Sequence, residues 1–241
     1  MSGSRAGPRT DHSRAVEDYL KAIFKLQAES LQVSTTALAG ELGRSAASVT
    51  NMVKGLAEQG LLVHEPYHGV RLTPLGESAA LRIIRRHRVI ETYLIERLGY
   101  TWDGVHEEAD RMEHAASDEL IDRMAVALGD PVEDPHGAPI PSSDGVIASR
   151  DLVSLTDLPA GEDAVVREVP DEDSGRLREL AAAGFLLTTS LVVTDRLPGG
   201  DVVVRIGDDE QTLDAVTAGL IQVERIETTR VDEDHDSDKS R

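Results

Sequence analysis

The segment 105–117, VHEEADRMEHAAS, is rich in histidine and carboxylate side chains. At about 100° per residue, a helix would place four of them within roughly a 100° arc of one face: His106, Asp110, Glu113 and His114. An apolar stripe lies beside this arc, formed by Val105, Ala109, Met112, Ala116 and Leu120. Nitrogen and oxygen donors grouped in this way are suited to a divalent cation. For this segment alone, a solvated acidic helix face is the alternative.

The helical pattern from about Glu77 to Leu98 favours the metal site. His87 and Glu91 lie near the middle of its apolar face, which is formed by Ile83, Ile84, Ile90, Leu94 and Leu98. Because an unpaired buried carboxylate is costly, Glu91 needs a partner. A buried hydrogen bond between His87 and Glu91 would satisfy that pair alone. The two helices together offer more ligands than ion pairing requires, so a metal site is the better interpretation.

The length and composition of the chain indicate a globular protein. A chain of 241 residues with 40% hydrophobic content can bury one or two cores. It has no apolar run of the ~20 residues needed to span a bilayer, and its start, MSGSRAGPRTDH, lacks the apolar centre of a signal peptide. We therefore expect a cytoplasmic protein that does not enter the membrane. With no cysteine, cysteine-based zinc and iron–sulfur sites are excluded.

Charge is segregated along the chain. The formal net charge of -19 argues against a nucleic-acid partner. However, residues 1–100 contain 13 Lys and Arg against 10 Asp and Glu, a net of +3, whereas residues 101–241 contain 12 against 34, a net of -22. The N-terminal part can thus approach phosphate, and the rest would be repelled by it.

Hydrophobic periodicity predicts a winged helix-turn-helix at the N-terminus. A first helix covers about 16–27, and a short helix from Thr35 to Leu42 is followed by a turn at Gly43-Arg44 and a second helix capped by Ser45. The segment LLVHEPYHGVRLTPLG contains two extended runs around Tyr67-His68-Gly69, which indicate a two-stranded wing. Further helices are predicted at about 77–98 and 102–128.

The C-terminal part is predicted to be β-rich. A loop rich in Pro, Gly and Asp, GDPVEDPHGAPIPSSDG, precedes the short runs AVVREV, FLLTTSLVVTDRL, DVVVRIG and GLIQVERI. The fold class is therefore mainly α with a small all-β domain, a barrel or sandwich. The expected boundaries are 1–76 for the winged helix, 77–141 for a helical domain, 142–152 for a linker, 153–228 for the β domain and 229–241 for a disordered acidic tail.

The order of these motifs closely resembles the diphtheria toxin repressor family of iron- and manganese-dependent regulators. The resemblance covers residues 13 to 141 continuously, through the winged helix, RRHRVIETYL, VHEEADRMEHAASDE and a loop ending GAPIP. The β-rich segment is similar to that family's SH3-like domain. The resemblance implies a homodimer that binds operator DNA when loaded with metal, and that represses metal uptake genes.

The resemblance also implies two ligand sets. One site would use Asp18, Asp110, Glu113 and His114. A second would use His87, Glu91 and His106, completed by Asp173, or less favourably Glu172, of the SH3-like domain. The iron branch has methionine and cysteine where this chain has Asp18 and Asp110, so these hard oxygen ligands favour Mn²⁺, with Fe²⁺ as the alternative.

Two positions depart from the family pattern. Lys21 stands where some manganese regulators have a glutamate ligand, so a two-metal cluster of that type is not expected. Arg176 stands where a glutamine ligand is expected, which weakens the case for a ligand from the SH3-like domain.

The predicted recognition helix has small residues at its start that allow close approach to the major groove. Asn51 has the amide that can contact an adenine edge, and Ser48 and the alanines can touch thymine methyl groups. Helix capping and packing are the alternative roles for the serines and alanines. The predicted DNA-contacting residues are Arg44, Ser45, Ala47, Ser48, Thr50, Asn51, Lys54 and Arg71.

The sequence thus predicts a manganese-activated transcriptional repressor, with an iron(II)-dependent repressor as the alternative. A metallohydrolase with Glu107 or Glu108 as base is the rival of another class. It would leave the helix-turn-helix without a role, and the sequence shows no lid or oxyanion device.

Overall fold

The structure is a computed structural model that describes residues 12–28, 30–65 and 68–226. The chain divides into two compact units, residues 1–148 and 149–241. The predicted acidic tail and Tyr67 of the predicted wing turn lie outside the described residues. Among the helices that are described, none has both the length and the apolar character needed to cross a membrane.

The N-terminal part of the first unit is a winged helix-turn-helix, as predicted. Its elements are α1 (Arg14–Gln27), α2 (Thr35–Glu41), α3 (Ala46–Glu58), β1 (Leu62–Glu65) and β2 (Gly69–Leu72). The two strands pair antiparallel. Buried apolar side chains from all five elements form one core, which includes Leu20, Ile23, Leu38, Val53, Leu56, Leu62 and Val70.

Local sequence signals explain the helix-turn-helix. The Ser34 and Ser45 hydroxyls cap α2 and α3 by accepting hydrogen bonds from the backbone N–H groups of Ala37 and Ser48. Between the helices, Gly43 has φ +59°, a left-handed conformation that glycine adopts without steric cost. The predicted turn and cap therefore lie where the sequence placed them.

The wing is joined to the end of α1. Gln27, the last residue of α1, accepts a hydrogen bond through its side-chain Oε1 from the backbone N–H of Leu72 at 2.9 Å. Val33, which follows α1, forms an antiparallel β-bridge with Val70. Helix α1 and the wing are thus held together by backbone and side-chain hydrogen bonds.

The helical part of the first unit contains α4 (Pro74–Leu98), α5 (His106–Met112) and α6 (Asp118–Leu128). The single helix predicted over 102–128 is wrong, because the chain turns between Met112 and Asp118. The Ser117 hydroxyl caps a new helix there by accepting from the Leu120 N–H. As a result, Leu120 does not continue the apolar stripe and is 43% exposed.

The loop after α6 is ordered against α4. Arg88 on α4 donates to the Pro139 carbonyl at 2.6 Å, and Arg85 donates to the Pro141 carbonyl at 2.9 Å. The buried Asp134 carboxylate accepts from the His136 and Ala138 N–H groups. These bonds fix a segment rich in proline and glycine that cannot form a regular element.

The second unit is built on one six-stranded sheet. Its strands are β3 (Val153–Ser154), β4 (Asp163–Glu168), β5 (Ser190–Arg196), β6 (Val202–Ile206), β7 (Asp209–Leu213) and β8 (Gln222–Arg225), in the order β3-β8-β4-β5-β6-β7. Its described residues also form two helices, α7 (Ser174–Ala182) and α8 (Ala215–Leu220), and a 3₁₀ turn at Leu155–Asp157.

The predicted SH3-like domain is present, but the prediction of a closed barrel is wrong for the described residues. In these, β3 and β7 are the two edges of an open sheet. The predicted run FLLTTSLVVTDRL becomes a strand only from Ser190, because Thr188 adopts φ 66° in a turn.

Gly76 should be essential to the packing of α4 on the winged helix. A Cβ atom at this position would lie 1.9 Å from the Leu61 carbonyl oxygen, so the backbones must separate to admit it. We expect Gly76→Ala to lower the free energy of unfolding by about 2–4 kcal/mol in urea denaturation. Gly55→Ala is the matched control, because no atom lies within 4 Å of its added Cβ. This control should stabilise α3 by about 0.5–1 kcal/mol. Equal effects of the two substitutions would contradict the packing argument.

Candidate metal centre

Three elements of the first unit bring the predicted ligands together. Asp18 lies on α1, and His87 and Glu91 lie one turn apart on α4. His106 and Asp110 lie on α5, and Glu113 and His114 follow in the turn that ends it. Helix α4 packs against both α1 and α5, so it is the common support of the site.

One group of ligand-type side chains consists of Asp18, Glu113 and His114, with ligand atoms within 4.8 Å of one another. The Nε2 atom of His114 lies 3.0 Å from Asp18 Oδ1 and 3.4 Å from Glu113 Oε1. The side chain of Glu113 is 2% exposed. All donors are oxygen or nitrogen, which fits a hard or borderline divalent cation.

A second group contains His87, Glu91 and His106. The Nε2 atom of His87 lies 3.0 Å from Glu91 Oε1 and 3.1 Å from Nδ1 of His106. Glu91 Oε1 is also 3.2 Å from Nδ1 of His106. The Glu91 side chain is 0% exposed, so its charge has to be balanced inside the protein. These three residues lie together as the sequence predicted.

Asp110, which the family resemblance assigns to one site with Asp18, does not lie in the group that contains Asp18. It belongs to a third group with His87 and Glu113. Its Oδ1 atom lies 3.3 Å from His87 Nδ1 and accepts a hydrogen bond from Lys21 Nζ at 3.0 Å. Glu113 keeps helical dihedral angles at the end of α5, so its carboxylate and that of Asp110, one turn earlier, both face α4 and the Lys21 ammonium.

Glu17 is a residue of this centre that the sequence analysis missed. Its Oε2 atom lies 2.7 Å from Nδ1 of His114, and its side chain is 10% exposed. Arg86 pairs with both Glu17, at 3.4 Å, and Asp118, at 2.8 Å. Glu17 can accept the Nδ1 proton of His114, which leaves the Nε2 lone pair directed at Asp18. The signal available in the sequence was its position three residues before Leu20, which places Glu17 beside the apolar face of α1.

Electrostatics in the centre reflect tight packing of opposite charges. Burial alone would raise the pKa of Glu113, but hydrogen bonding to His87 and the charge of Lys21 hold it below its usual value. The pKa of Asp110 is lowered well below its usual range for the same reasons. Burial would lower the pKa of His87, but hydrogen bonds to Asp110, Glu113 and Glu91 raise it well above 6.5. The carboxylates therefore stay ionised.

Asp173, the ligand predicted on the SH3-like domain, lies in the second unit. Its Oδ1 atom caps α7 by accepting from the Gly175 and Arg176 N–H groups at 2.8 and 3.0 Å. These backbone hydrogen bonds lower the pKa of Asp173. A capping role accounts for its position, and its metal role stays a prediction.

The predicted DNA-contacting residues lie at the exposed side of the helix-turn-helix and wing. Val49, Val53 and Leu56 face the core from α3. The Ser45 hydroxyl caps α3, and the Thr50 hydroxyl donates to the Ala46 carbonyl at 2.8 Å, so both have partners within the helix. The exposed members of the predicted set are Arg44, Ser45, Ala47, Ser48, Asn51, Lys54 and Arg71.

Comparisons with known proteins agree with this architecture. Three family models match in order: an iron dependent repressor N-terminal DNA binding domain over residues 11–70, an iron dependent repressor metal binding and dimerisation domain over 73–142, and a FeoA domain over 153–225. The chain is 30% identical to the iron-dependent repressor IdeR of Mycobacterium leprae over 223 residues, which are 87% of this chain and 96% of that protein.

Solved structures are similar over the same length. One, a manganese-dependent transcriptional repressor in complex with manganese, has a TM-score of 0.81 and 38% identity, over 88% of this chain and 100% of that chain. The IdeR of T. acidophilum has a TM-score of 0.76 and 27% identity, over 87% of this chain and 97% of that one.

The chain therefore belongs to the diphtheria toxin repressor family of metal-dependent transcriptional repressors. The resemblance seen in the sequence is confirmed. Because the members that it matches are repressors and not enzymes, the metallohydrolase interpretation is wrong. Relatives of both the iron-dependent and the manganese-dependent kind are among the matches.

Glu17 should control metal affinity by orienting His114. We expect Glu17→Ala to weaken Mn²⁺ binding about 10–100-fold, the usual cost of losing a carboxylate partner of a ligating histidine. Isothermal titration of the metal-stripped protein measures this. Glu107→Ala on the exposed side of α5 is the control and should leave the affinity unchanged. Affinity within threefold of wild type in Glu17→Ala would remove Glu17 from the site.

Metal-stripped protein should lose stability in both acid and alkali through this centre. The pKa of Glu113 is lower in the folded state, so its contribution is fully present above the ordinary value of 4.5 and is lost as pH falls through the folded value. The pKa of His87 is raised, so its contribution is fully present below 6.5 and is lost as pH rises through the folded value.

Urea unfolding between pH 3 and pH 9 tests these signs. The stability advantage of wild type over Glu113→Gln should shrink toward acid, and its advantage over His87→Gln should shrink toward alkali. Both advantages are complete between about pH 4.5 and 6.5. A constant advantage across the whole range would show that these groups do not titrate with folding.

Proposed function

We propose that this chain is a manganese-activated repressor that binds operator DNA as a homodimer. The observation that supports it most directly is the convergence of Asp18 on α1 with Glu113 and His114 after α5, with Nε2 of His114 3.0 Å from Asp18. This group joins the DNA-binding part to the helical part of the first unit. Both parts are needed for a repressor that responds to metal.

Two ion sites follow from the side-chain groups. Asp18, Glu113 and His114 would hold one divalent ion, and His87, Glu91 and His106 would hold the other. A bound ion supplies positive charge that carboxylates from separate helices need in order to lie together. Glu17 positions His114, and the buried Glu91 is directed at both histidines of the second group.

Ligand chemistry favours manganese. Asp18 and Glu113 contribute hard oxygen, His114 contributes a borderline nitrogen, and the chain has no cysteine to select a softer metal. A structural relative solved in complex with manganese is 38% identical to this chain. Iron(II) is the alternative, because it accepts the same donors.

Helix α1 links the metal centre to the helix-turn-helix and the wing. It contacts α4, α2 and β2, and its last residue, Gln27, is hydrogen-bonded to the wing. Holding Asp18 against Glu113 and His114 restrains α1, and with it the recognition helix α3. Metal would thus stabilise one arrangement of the two winged helices in the dimer. The coupling free energy between metal binding and DNA binding is typically about 1–3 kcal/mol.

The dimer interface is proposed to involve α6. Leu120 and Val126 on this helix are 43% and 68% exposed, so α6 offers apolar side chains that a second copy could cover. A second copy related by twofold symmetry would bring a second winged helix to the assembly. Operator half-sites related by twofold symmetry fit such a dimer.

DNA selection tests the function. Mn²⁺-loaded protein should enrich a palindromic site from random duplexes, and binding to that site should require metal and weaken steeply with salt. Anaerobic titration with Mn²⁺ and Fe²⁺ then ranks the metals, with activation by Mn²⁺ expected at the lower concentration. Asp18→Asn should lose metal-dependent binding. DNA binding of equal strength without metal would overturn the proposal.

Substitutions on α3 and the wing separate base contacts from phosphate contacts. Asn51→Ala should relax preference at one base position, at a cost of about 1–3 kcal/mol, because the amide contacts a base edge. Arg71→Ala should weaken all sequences alike, as expected for a phosphate contact. A uniform loss for Asn51→Ala would assign Asn51 to the backbone instead.

A further inference from the structure

The second strand of the wing, β2, has hydrogen-bond partners along both of its edges. On one edge it pairs with β1. On the other edge, Val70 and Val33 exchange two backbone hydrogen bonds, at 2.8 and 2.9 Å. Two residues further along the same edge, the Leu72 N–H donates to Gln27 Oε1 at 2.9 Å. Strand β2 is therefore bonded to the end of α1 and to the residues that follow it.

The chain after α1 lies close against the wing. Gly69, at the start of β2, has φ +110°, and a Cβ atom added to it would lie 2.4 Å from the Val33 carbonyl oxygen. Gln32 donates through Nε2 to Glu65 Oε2, at the end of β1, at 3.1 Å. The wing is thus held through both of its strands.

Arg71 lies between the two bonded positions of β2. Side chains alternate along a strand, so that of Arg71 is on the face opposite Val70 and Leu72. Val70 and Leu72 are buried, whereas Arg71 is exposed. In the proposed function this guanidinium contacts a phosphate. The backbone on each side of that cation is therefore held by α1 and the residues after it.

We propose that Gln27 is a positioning residue that makes the phosphate contact of Arg71 depend on metal. Gln27 lies on the same helix as Asp18, about two and a half turns further along. When an ion holds Asp18 in the metal centre, α1 is restrained, and the hydrogen bond from Leu72 to Gln27 carries that restraint to β2. This inference rests on the proposed function and adds the route by which metal affects one DNA contact.

The experiment measures DNA binding of the full-length protein with and without Mn²⁺, for wild type, Gln27→Met, Arg71→Ala and the double variant. Methionine resembles glutamine in length and helix propensity, but its sulfur is only a weak acceptor for the Leu72 N–H. Gln27→Glu is the matched control, because it keeps an oxygen acceptor at the same position. The probe is the palindromic duplex selected by the wild type, titrated at several salt concentrations.

Gln27→Met should lower the DNA affinity of the Mn²⁺-loaded protein about 3–10-fold and reduce the salt slope by up to about 1, the share of one phosphate contact. DNA affinity without Mn²⁺, and Mn²⁺ affinity without DNA, should stay within about twofold of wild type. Because Gln27 acts through Arg71, adding Gln27→Met to Arg71→Ala should cause no further loss. Gln27→Glu should match wild type.

Three results would overturn the inference. Losses that multiply in the double variant would show that Gln27 acts independently of Arg71. Equal losses with and without Mn²⁺ would make the hydrogen bond to Leu72 structural only. Unchanged affinity in Gln27→Met would show that the other bonds hold the wing. Wild type alone decides the proposed function, and wild-type DNA binding that does not respond to Mn²⁺ would overturn both.

Hydrogen exchange gives a measurement that needs no DNA. In wild type, Mn²⁺ should slow exchange of the peptide that contains Leu72 about 3–10-fold, because restraint of α1 stabilises the hydrogen bond to Gln27. The slowing should be lost in Gln27→Met. Equal exchange rates with and without Mn²⁺ in wild type, in protein shown by dialysis to hold the ion, would refute the link between metal and wing.

Discussion

The buried carboxylate of Glu113 is the group on which the centre depends. A carboxylate that is 2% exposed must be surrounded by positive charge or hydrogen-bond donors, because the interior of a protein solvates it poorly. Its Oε1 lies near His114 and its Oε2 near His87, and the Lys21 ammonium donates to both oxygens. Since these partners come from α1, α4 and the turn after α5, satisfying one charge fixes three segments of the first unit.

The helix that carries Asp110 ends close to Glu113, which still has helical dihedral angles. A new helix then starts at Asp118, with Ser117 as the cap. Arg82 and Arg86 of α4 then pair with Asp118, which holds the start of α6 against α4.

Sequence patterns predicted the elements better than their boundaries and side-chain partners. The buried His87 and Glu91 could be identified because a charged pair interrupts an apolar helical face. The helix-turn-helix was signalled by Ser45 and by glycine in the turn. In contrast, the break after Met112 depends on a weak local cap, and α7 lies in a segment without a strong apolar period. The open sheet could not be distinguished from a barrel, because both use the same short strands.

The partners of Glu17, Lys21 and Asp110 were harder to predict for a different reason. Each makes its decisive contact with a residue more than 60 positions away in the chain, such as His114, His87 or Lys21. Helical periodicity places a side chain on a face but does not state which charge of the opposite helix it meets. The family resemblance assigned Asp110 by position alone, whereas in the structure it lies beside the Lys21 ammonium.

Because α1 is hydrogen-bonded to the wing, a tilt of α1 would move the wing. Asp18 lies near one end, and Gln27, which binds the wing backbone at Leu72, lies nine residues away, a rise of about 14 Å along the axis. A tilt of about 5° at the Asp18 end would therefore displace the wing by about 1 Å. The β-bridge between Val33 and Val70 also joins the wing to the segment that follows α1. Movement of this size is comparable to the precision that a hydrogen bond to a base or phosphate requires.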